Sequence, residues 1–326
     1  MKTKDRLLTL FELNRGVYLS GEDIAQTLDI SRTAIWKAVK ALQQEGYAIK
    51  AVTNKGYCFG EQNDILSAQG MQKYLHPEQK EIEISVFQTV SSTNTVVQQK
   101  VSGGARTDCL ILANEQTQGR GRAGRSFFSP KDTGIYMSLL LCPKNCSANQ
   151  ASQITTMAAV AMCEAIETIC EEKAQIKWVN DIFLRGKKVC GILTEASFSL
   201  ESGLMEYAVL GIGVNLYPPK GQFPKELQTI AGSIFQEQKN DAKNQLVAQF
   251  LNHFFAYYSR QSPCDYVQKY RDRSFVIGKQ VQLIAGNQSD FVTVVGIDDQ
   301  CRLLIRYNDG KECCCSAGEI NIRLNA

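Results

Sequence analysis

The chain has 326 residues, 44% of them hydrophobic and 21% charged, with a net charge of +3. A chain of this length and composition buries a sizeable core and is expected to form two or three domains. The near balance of charge excludes a globally basic or acidic protein, so any nucleic-acid site must be local, and no apolar run of about 18 residues predicts a membrane span.

The twelve cysteines follow no metal-ligand rhythm: no C-x-x-C pair occurs, and His76 and His253 are the only histidines. Cys313, Cys314 and Cys315 are consecutive, so on a strand they would alternate in direction. The start "MKTKDRLLTLFEL" lacks the long apolar segment of a secretory signal. The expectation is a cytoplasmic protein with reduced thiols.

Residues 5–14 read as a short amphipathic helix. "SGEDIAQTL" follows, with Ser20 as N-cap and Asp23 three residues on, and with Ile24 and Leu28 on one face. After the turn "LDI", Ser31 is a second N-cap, opening "RTAIWKAVKALQQEG". There Ile35, Val39 and Leu42 recur at helical spacing while Thr33, Trp36, Lys37 and Lys40 face away, and Gly46 stops the helix. "YAIKAVTNKGYCF" reads as a hairpin around Asn54, Lys55 and Gly56. Two helices joined by a tight turn, followed by a wing, make a winged helix-turn-helix pattern. Five Lys or Arg against one Glu over residues 31–56 supply the local positive field that DNA phosphates require. Ser31, Arg32, Thr33, Trp36 and Lys37 are the groove-facing candidates; such modules also serve purely as protein-docking domains.

Past a linker running into a helix, strands and helices alternate. "EIEISVFQTV" is a strand, and Ser92 and Thr93 stand at its end before a helix. "CLILANEQ" and "GIYMSLLL" are apolar strands, and residues 150–171 form one long buried helix. "IKWVNDIFLRGKKVCGILTEASFS" resembles a hairpin turning at Arg185 and Gly186, and "EYAVLGIGVNL" is a core strand ending in glycines and Asn215. This pattern predicts an α/β or α+β domain around a mixed sheet.

Between two of those strands lies "GRGRAGR", residues 119–125, which satisfies G-x-G-x-x-G. A dinucleotide fingerprint needs its glycines directly after a strand, a helix directly behind, and an acidic residue about twenty positions on. Here "NEQTQ" intervenes, "RSFFSPKDTG" follows, and the later position falls in "MSLLL", so that reading fails. No P-loop occurs either. Three guanidiniums on glycine-permissive backbone suit a polyanion, with RNA backbone as the weaker option. Without an anion they would repel one another, so the loop is expected to be mobile when empty. Phe127 and Phe128 offer an aromatic face or apolar lid.

Residues 244–259 read as an apolar-striped helix. From about residue 273 the short strands "KQVQLI", "DFVTVVGID", "RLLIRY" and "EINIRL", with turns at Asn287-Gln288, Asp298-Asp299 and Asn308-Asp309-Gly310, predict a small β-barrel.

With "STN", "EQTQGRGRAGR", "KWVNDI", "GKKVCGIL" and "GIGVNL" in this order, the sequence resembles the bifunctional biotin protein ligases that also repress biotin synthesis genes, over essentially the whole chain. The resemblance implies an α+β multidomain protein: a winged helix-turn-helix at 1–62, a class II synthetase-like mixed-sheet core at 63–272, and an SH3-like barrel at 273–326 that contributes near the adenine and to carrier recognition. It implies activation of biotin with Mg-ATP to biotinyl-5′-AMP and transfer to a lysine of a biotin carboxyl carrier domain. No tightly bound prosthetic group is implied, and the adenylate acts as corepressor of a homodimer on operator DNA.

Carried over, Ser92, Thr93, Asn94 and Gln116 would line the biotin head-group pocket. Gly119, Arg120 and Arg122 would close over biotin and the acyl phosphate, Arg125 would lie towards the nucleotide phosphates, and Phe127 would pack near the adenine. Lys188 would hold the carboxylate under activation, and Asn180 and Asp181 would stand near the phosphates, Asp181 as a magnesium ligand. Gly191 would mark close backbone approach, and Asn215 would floor the nucleotide site. Taken alone, Lys187 and Lys188 could equally be a solvated turn pair; Trp178 reads as core or shelf and Cys190 as a small buried hydrophobe. Val179 stands where many members carry proline, and an extended backbone is expected there. A ligand-sensing regulator with an inactive core and a lipoyl ligase are the competing readings.

Overall fold

Local capping chemistry shapes the N-terminal helices. Helix α1 spans Thr3–Leu13, and a two-residue strand β1, Tyr18–Leu19, leads to α2, Gly21–Leu28. The Ser20 hydroxyl accepts from the Asp23 amide, and Ser31 accepts from Ala34 at the start of α3, Arg32–Gln44. Leu7, Phe11, Ile24, Ile35, Leu42 and Phe59 form the buried core of this module. Strands β2, Ile49–Val52, and β3, Gly56–Phe59, make the wing, with β1 on the other side of β3. Gly56 has φ +93°, and a side chain there would meet the Leu19 carbonyl at 2.0 Å, so the wing turn needs glycine.

The computed structural model describes residues 2–322 except 144, 145, 147, 260–263, 286, 287 and 317; the turn residue Asn287 therefore lies outside the described residues. The chain folds as two compact units, 1–80 with 238–248, and 81–237 with 249–326. The first adds helix α4, Ala68–Met71, to the winged module and includes the residues that open a later helix. Two nearly buried carboxylates organise it. Glu12 binds Arg15 at 2.6 Å and Lys73 at 3.1 Å, and Asp241 binds Lys73 at 2.5 Å, Arg15 at 3.0 Å and the Tyr74 hydroxyl at 2.7 Å. Paired this closely, the charges tolerate burial that neither sign would tolerate alone.

The second unit is built on a seven-stranded mixed sheet. Strand β4 (Glu83–Val90) pairs in parallel with β5 (Cys109–Gln116), and helix α5 (Thr93–Ser102) makes that crossover. Every other pair is antiparallel: β6 (Gly134–Leu141), then, after helix α6 (Ala148–Ile169), β7 (Gln175–Lys177), β8 (Asp181–Leu184), β9 (Lys187–Phe198) and β10 (Met205–Asn215), in the spatial order β4-β5-β6-β10-β9-β8-β7. The expected hairpin over 176–199 is thus three strands, because residues 178–180 turn before β8. Val179 accordingly sits in a turn, not in extended chain, and the Trp178–Val179 bond is cis. The second turn is where Arg185 and Gly186 were expected to make it, both at positive φ. Helix α5 packs across β5, β6 and β10, and α6 packs across β9 and β10 with a wholly buried run from Ala158 to Cys163.

Helix α7, Ala242–Tyr258, follows the sheet, and α8, Cys264–Arg273, is a polar helix that the hydrophobic pattern did not announce. The C-terminal strands β11 (Gln280–Ala285), β12 (Gln288–Ile297), β13 (Leu303–Arg306), β14 (Glu312–Cys315) and β15 (Glu319–Ile322) form one antiparallel sheet with β14 and β15 at its edges. Strand β14 carries the three cysteines, Cys313 opposite Ile305 and Cys315 opposite Leu303. Among the described residues no helix is long and apolar enough to cross a membrane.

Removing one carboxylate of the buried network strands its cationic partners. Asp241→Ala is expected to lower unfolding free energy by about 3 kcal/mol in urea titration, against less than about 1 kcal/mol for breaking the exposed Arg32–Glu22 pair.

Candidate active site

One rim of the large sheet gathers the chemistry. The ends of β5, β7 and β10 and the starts of β8 and β9 border a cavity of about 290 Å³. Its floor is bare backbone: Gly213 faces Gly191 across β10 and β9. The Phe127 ring lies on that floor, so close that a side chain at Gly213 would meet it at 2.4 Å and one at Gly191 at 3.3 Å. Tyr136 holds the ring from the edge, with centroids 6.4 Å apart.

At one end stands a chain of neutral polar groups from the first turn of α5. Gln116 Oε1 accepts from the Thr93 amide at 2.9 Å and the Thr93 hydroxyl at 3.2 Å, and Gln116 Nε2 donates to Ser129 at 3.0 Å. Ser138, wholly buried on β6, reaches Thr93 Oγ1 at 2.7 Å and Asn94 Oδ1 at 2.5 Å. Asn94 Nδ2 donates to Glu195 at 2.6 Å. Ser92, 3% exposed, stands at the N-cap position without a side-chain capping bond and borders the same cavity. Short hydroxyls and amides at an enclosed end suit a compact ligand with both donors and acceptors.

The other end is cationic. Lys188 binds Asp181 at 2.6 Å inside the cavity, whereas Lys187 turns away to the carbonyls of Gln228 and Thr229. This resolves the pair: Lys188 faces the cavity and Lys187 holds the segment beside it. Lys177, opposite Asp181 in the β7–β8 register, also lines the cavity. Burial lowers its pKa, opposed by Asp181 and reinforced by Lys188. Asn180 accepts from Arg122 at 3.1 Å and donates to the Ile192 carbonyl at 2.8 Å.

The arginine loop is a small hairpin over Ala123 and Gly124, both at positive φ, closed by Gly121 N donating to Arg125 O and Phe127 N to Gly119 O. Its guanidiniums do not face one another. Arg120 lies 3.9 Å from Glu195, Arg122 reaches Asn180 and the Gly318 carbonyl, and Arg125 pairs with Glu319. The repulsion expected of an anion-free loop is relieved by giving each arginine its own acceptor.

Of the residues singled out in the sequence, Ser92, Thr93, Asn94, Gln116, Arg120, Arg122, Arg125, Phe127, Asn180, Asp181, Lys188, Gly191 and Asn215 all border this cavity. Gly119 does not; it is buried behind the loop, where a side chain would meet the Phe127 carbonyl at 2.4 Å. Trp178 is a buried shelf whose indole donates to the Cys301 carbonyl, and Cys190 is wholly buried, its thiol pushed well up by burial. Sequence reasoning passed over Lys177, Ser138 and Glu195. Lys177 carried a signal, since it opens the same motif as Asn180 and Asp181. Glu195 carried none, because only register and packing bring it to Asn94. Among the described residues no three His, Cys, Asp or Glu converge to hold a metal, and Asp181 is already engaged by Lys188.

In the winged module Ser31, Arg32, Thr33, Trp36 and Lys37 are all exposed, Trp36 by 53%. Ser31 is spent as the cap and Arg32 pairs with Glu22, so Thr33, Trp36 and Lys37, with Lys40, form the outward stripe.

A helix-turn-helix head on a mixed-sheet core, with a polar cavity end facing a cationic one, defines a ligand-binding α+β protein of the ligase–regulator class. Comparison with known proteins gives the same answer. The model of the biotin/lipoate A/B protein ligase family matches residues 86–215, an HTH domain model matches 3–58, and a biotin protein ligase C-terminal domain model matches 276–323. The bifunctional ligase/repressor BirA of Bacillus subtilis is 31% identical over 312 residues, 93% of this chain and 94% of that one. The protein of the same name from Escherichia coli is 28% identical over 316 residues, 95% of each chain. A biotin protein ligase from Aquifex aeolicus, solved with biotin and ATP, superposes with a TM-score of 0.60 at 23% identity, covering 74% of this chain and 98% of that one. This chain belongs to the bifunctional biotin protein ligase/repressor family.

The glycine floor yields a direct expectation. Gly213→Ala drives a methyl into the Phe127 ring and should cost about 1–3 kcal/mol by urea unfolding. Adding Phe127→Ala removes the clash, so the double variant should be no less stable than Phe127→Ala alone.

Proposed function

We propose that this protein activates biotin with ATP to biotinyl-5′-AMP, transfers biotin to a lysine of a biotin carboxyl carrier domain, and, as a homodimer loaded with the adenylate, represses transcription from operator DNA in the cytoplasm. The observation that carries the ligase reading is the cavity's two-ended chemistry, with neutral hydroxyls and amides at one end and Lys188 at the cationic other.

Biotin's ureido ring has two N–H donors and one carbonyl acceptor, which the Ser92, Thr93, Asn94 and Gln116 end is equipped to pair. Its carboxylate then comes to Lys188. In the free protein Asp181 occupies that ammonium, so an incoming carboxylate or phosphate competes with Asp181 for the same charge. The carboxylate oxygen attacks the α-phosphorus, the bond to the bridging oxygen breaks, and pyrophosphate leaves. Lys188, Arg120 and Arg122 stabilise the negative charge that accumulates on the phosphoryl oxygens, with Arg125 and Lys177 towards the leaving phosphates. Phe127, flat on its glycine floor, and Asn215 border the nucleotide. Magnesium arrives as the counterion of ATP; among the described residues no cluster of His, Cys, Asp or Glu forms a cage for a resident ion. In the second half the carrier lysine attacks the acyl carbon and AMP leaves, with the arginine loop shielding the mixed anhydride from water.

We assign the three modules to 1–62, 63–272 and 273–326, the last serving carrier recognition. The stripe Thr33, Trp36, Lys37, with Ser31 and Arg32 at the helix start, is the surface offered to the DNA groove. We infer a reducing compartment from the sequence, in which the twelve cysteines follow no disulfide framework.

The deciding experiment supplies biotin or lipoate with Mg-ATP and a biotin-accepting domain and follows AMP release and acceptor mass. One biotinyl group added by the wild type, and lost or strongly slowed in Lys188→Ala, is the expected result. No transfer with either acid would leave a ligand-sensing regulator, and lipoate transfer alone would show the polar end misassigned. On DNA, Lys37→Ala should weaken binding for all sequences alike and reduce the slope of log affinity against log salt by about 1.

A further inference from the structure

Glu195 does not line the cavity, yet it touches both of its ends. It sits on β9 opposite Val209, a third exposed, with one carboxylate oxygen accepting from Asn94 Nδ2 at 2.6 Å and from Gln98 Nε2, one turn further along α5, at 3.3 Å. Its other oxygen is 3.9 Å from Arg120 on the loop.

A carboxylate only accepts hydrogen bonds. It therefore admits Asn94 in one orientation, amide nitrogen outward, and excludes the flipped form, which would set Oδ1 against a carboxylate oxygen at hydrogen-bond distance. With Nδ2 committed, Oδ1 faces Ser138 and is packed against Gly211, where a side chain would come within 2.3 Å of it. Ser138 has one proton and two candidate acceptors, Asn94 Oδ1 and Thr93 Oγ1. The Thr93 hydroxyl gives its own proton to Gln116 Oε1, so the Ser138 proton is shared between Thr93 Oγ1 and Asn94 Oδ1. The orientation fixed at Glu195 thus keeps an Asn94 acceptor, and not a second donor, facing Ser138.

We propose that Glu195 is a positioning residue for the ureido end of the biotin site: it orients the Asn94 carboxamide so that an acceptor faces the ring's N–H. This rests on the biotin reading above. It explains why a charged group is kept beside a neutral pocket, since a serine or asparagine at 195 would leave both Asn94 orientations open.

The test is steady-state adenylation, read by pyrophosphate release, on the wild type, Glu195→Ala, Glu195→Gln, Asn94→Ala and the Asn94→Ala/Glu195→Ala double variant. Glu195→Ala should raise the biotin KM about tenfold, the usual worth of a charge-assisted hydrogen bond, with kcat and the ATP KM changed far less. Glu195→Gln, whose amide can accept or donate and so leaves both Asn94 orientations open, should recover only part of the loss. Adding Glu195→Ala to Asn94→Ala should raise the biotin KM no further, because the partner is already gone. Additive effects in the double variant, a Glu195→Gln indistinguishable from the wild type, or a rise in the ATP KM alone would each overturn the proposal. Should Glu195→Ala fail to fold, Glu195→Asp keeps the charge but withdraws it by one methylene, and the same KM rise is expected. A wild type that makes no biotinyl-AMP would sink the biotin reading itself, whereas an active wild type with a silent Glu195→Ala would sink only the role of Glu195.

Discussion

Two glycines that face each other across β9 and β10 hold the rest of the site in place. Because neither Gly191 nor Gly213 has a side chain, the Phe127 ring can lie on bare backbone, and that in turn sets where the arginine hairpin enters and leaves. The same two strands carry Lys188 at the start of β9 and Gly211 near the end of β10, against which Asn94 packs. A single antiparallel register therefore positions an aromatic wall, a cation and a polar amide together. A one-residue slip would exchange the glycines for their flanking Cys190 and Ile212 or Val214 and fill the floor.

Electrostatics supplies the second layer. Lys188, Lys177 and three arginines border one cavity, an arrangement that self-repulsion disfavours unless anions are present. The fold provides its own: Asp181 between the lysines, Glu195 near Arg120 and Glu319 on Arg125. The placeholders are carboxylates on separate strands, so they are not one ligand's shape. The carboxylate of biotin and the phosphates of ATP would compete with these groups for the same cations.

Much of this was legible in the residues. The winged module followed from caps at Ser20 and Ser31, period 3.6 in α3, and the Asn54-Lys55-Gly56 turn, because each signal is local. The cavity residues were legible as motifs in order, and the structure brings all but Gly119 to one rim. What stayed hidden depended on register or on polar packing. Strand β7 is too short for a pattern, α8 buries only the short face of Tyr266, Val267 and Tyr270 among charged neighbours, and β14 reads as three cysteines without the usual alternation of apolar and polar residues. Glu195 and Ser138 matter only through what lies across the sheet, and no spacing rule within one strand reveals a neighbour on another.

The Glu12–Arg15–Lys73–Asp241 cluster shows that the first unit is not a continuous stretch of chain: it is completed by residues 238–248, encoded after the whole first part of the catalytic sheet. The head therefore cannot be removed by a cut in a single linker. A chain shortened from its N-terminus through residue 80 keeps Asp241 and Asn244 but loses Arg15, Lys73, Tyr74 and the backbone of Ile65 and Ser67 that satisfied them. What remains is an unpaired carboxylate at the mouth of α7, a helix whose far end belongs to the catalytic unit. Gene regulation and catalysis are thus written into one another along the polypeptide, and a lineage that discards the first must also rewrite the beginning of α7.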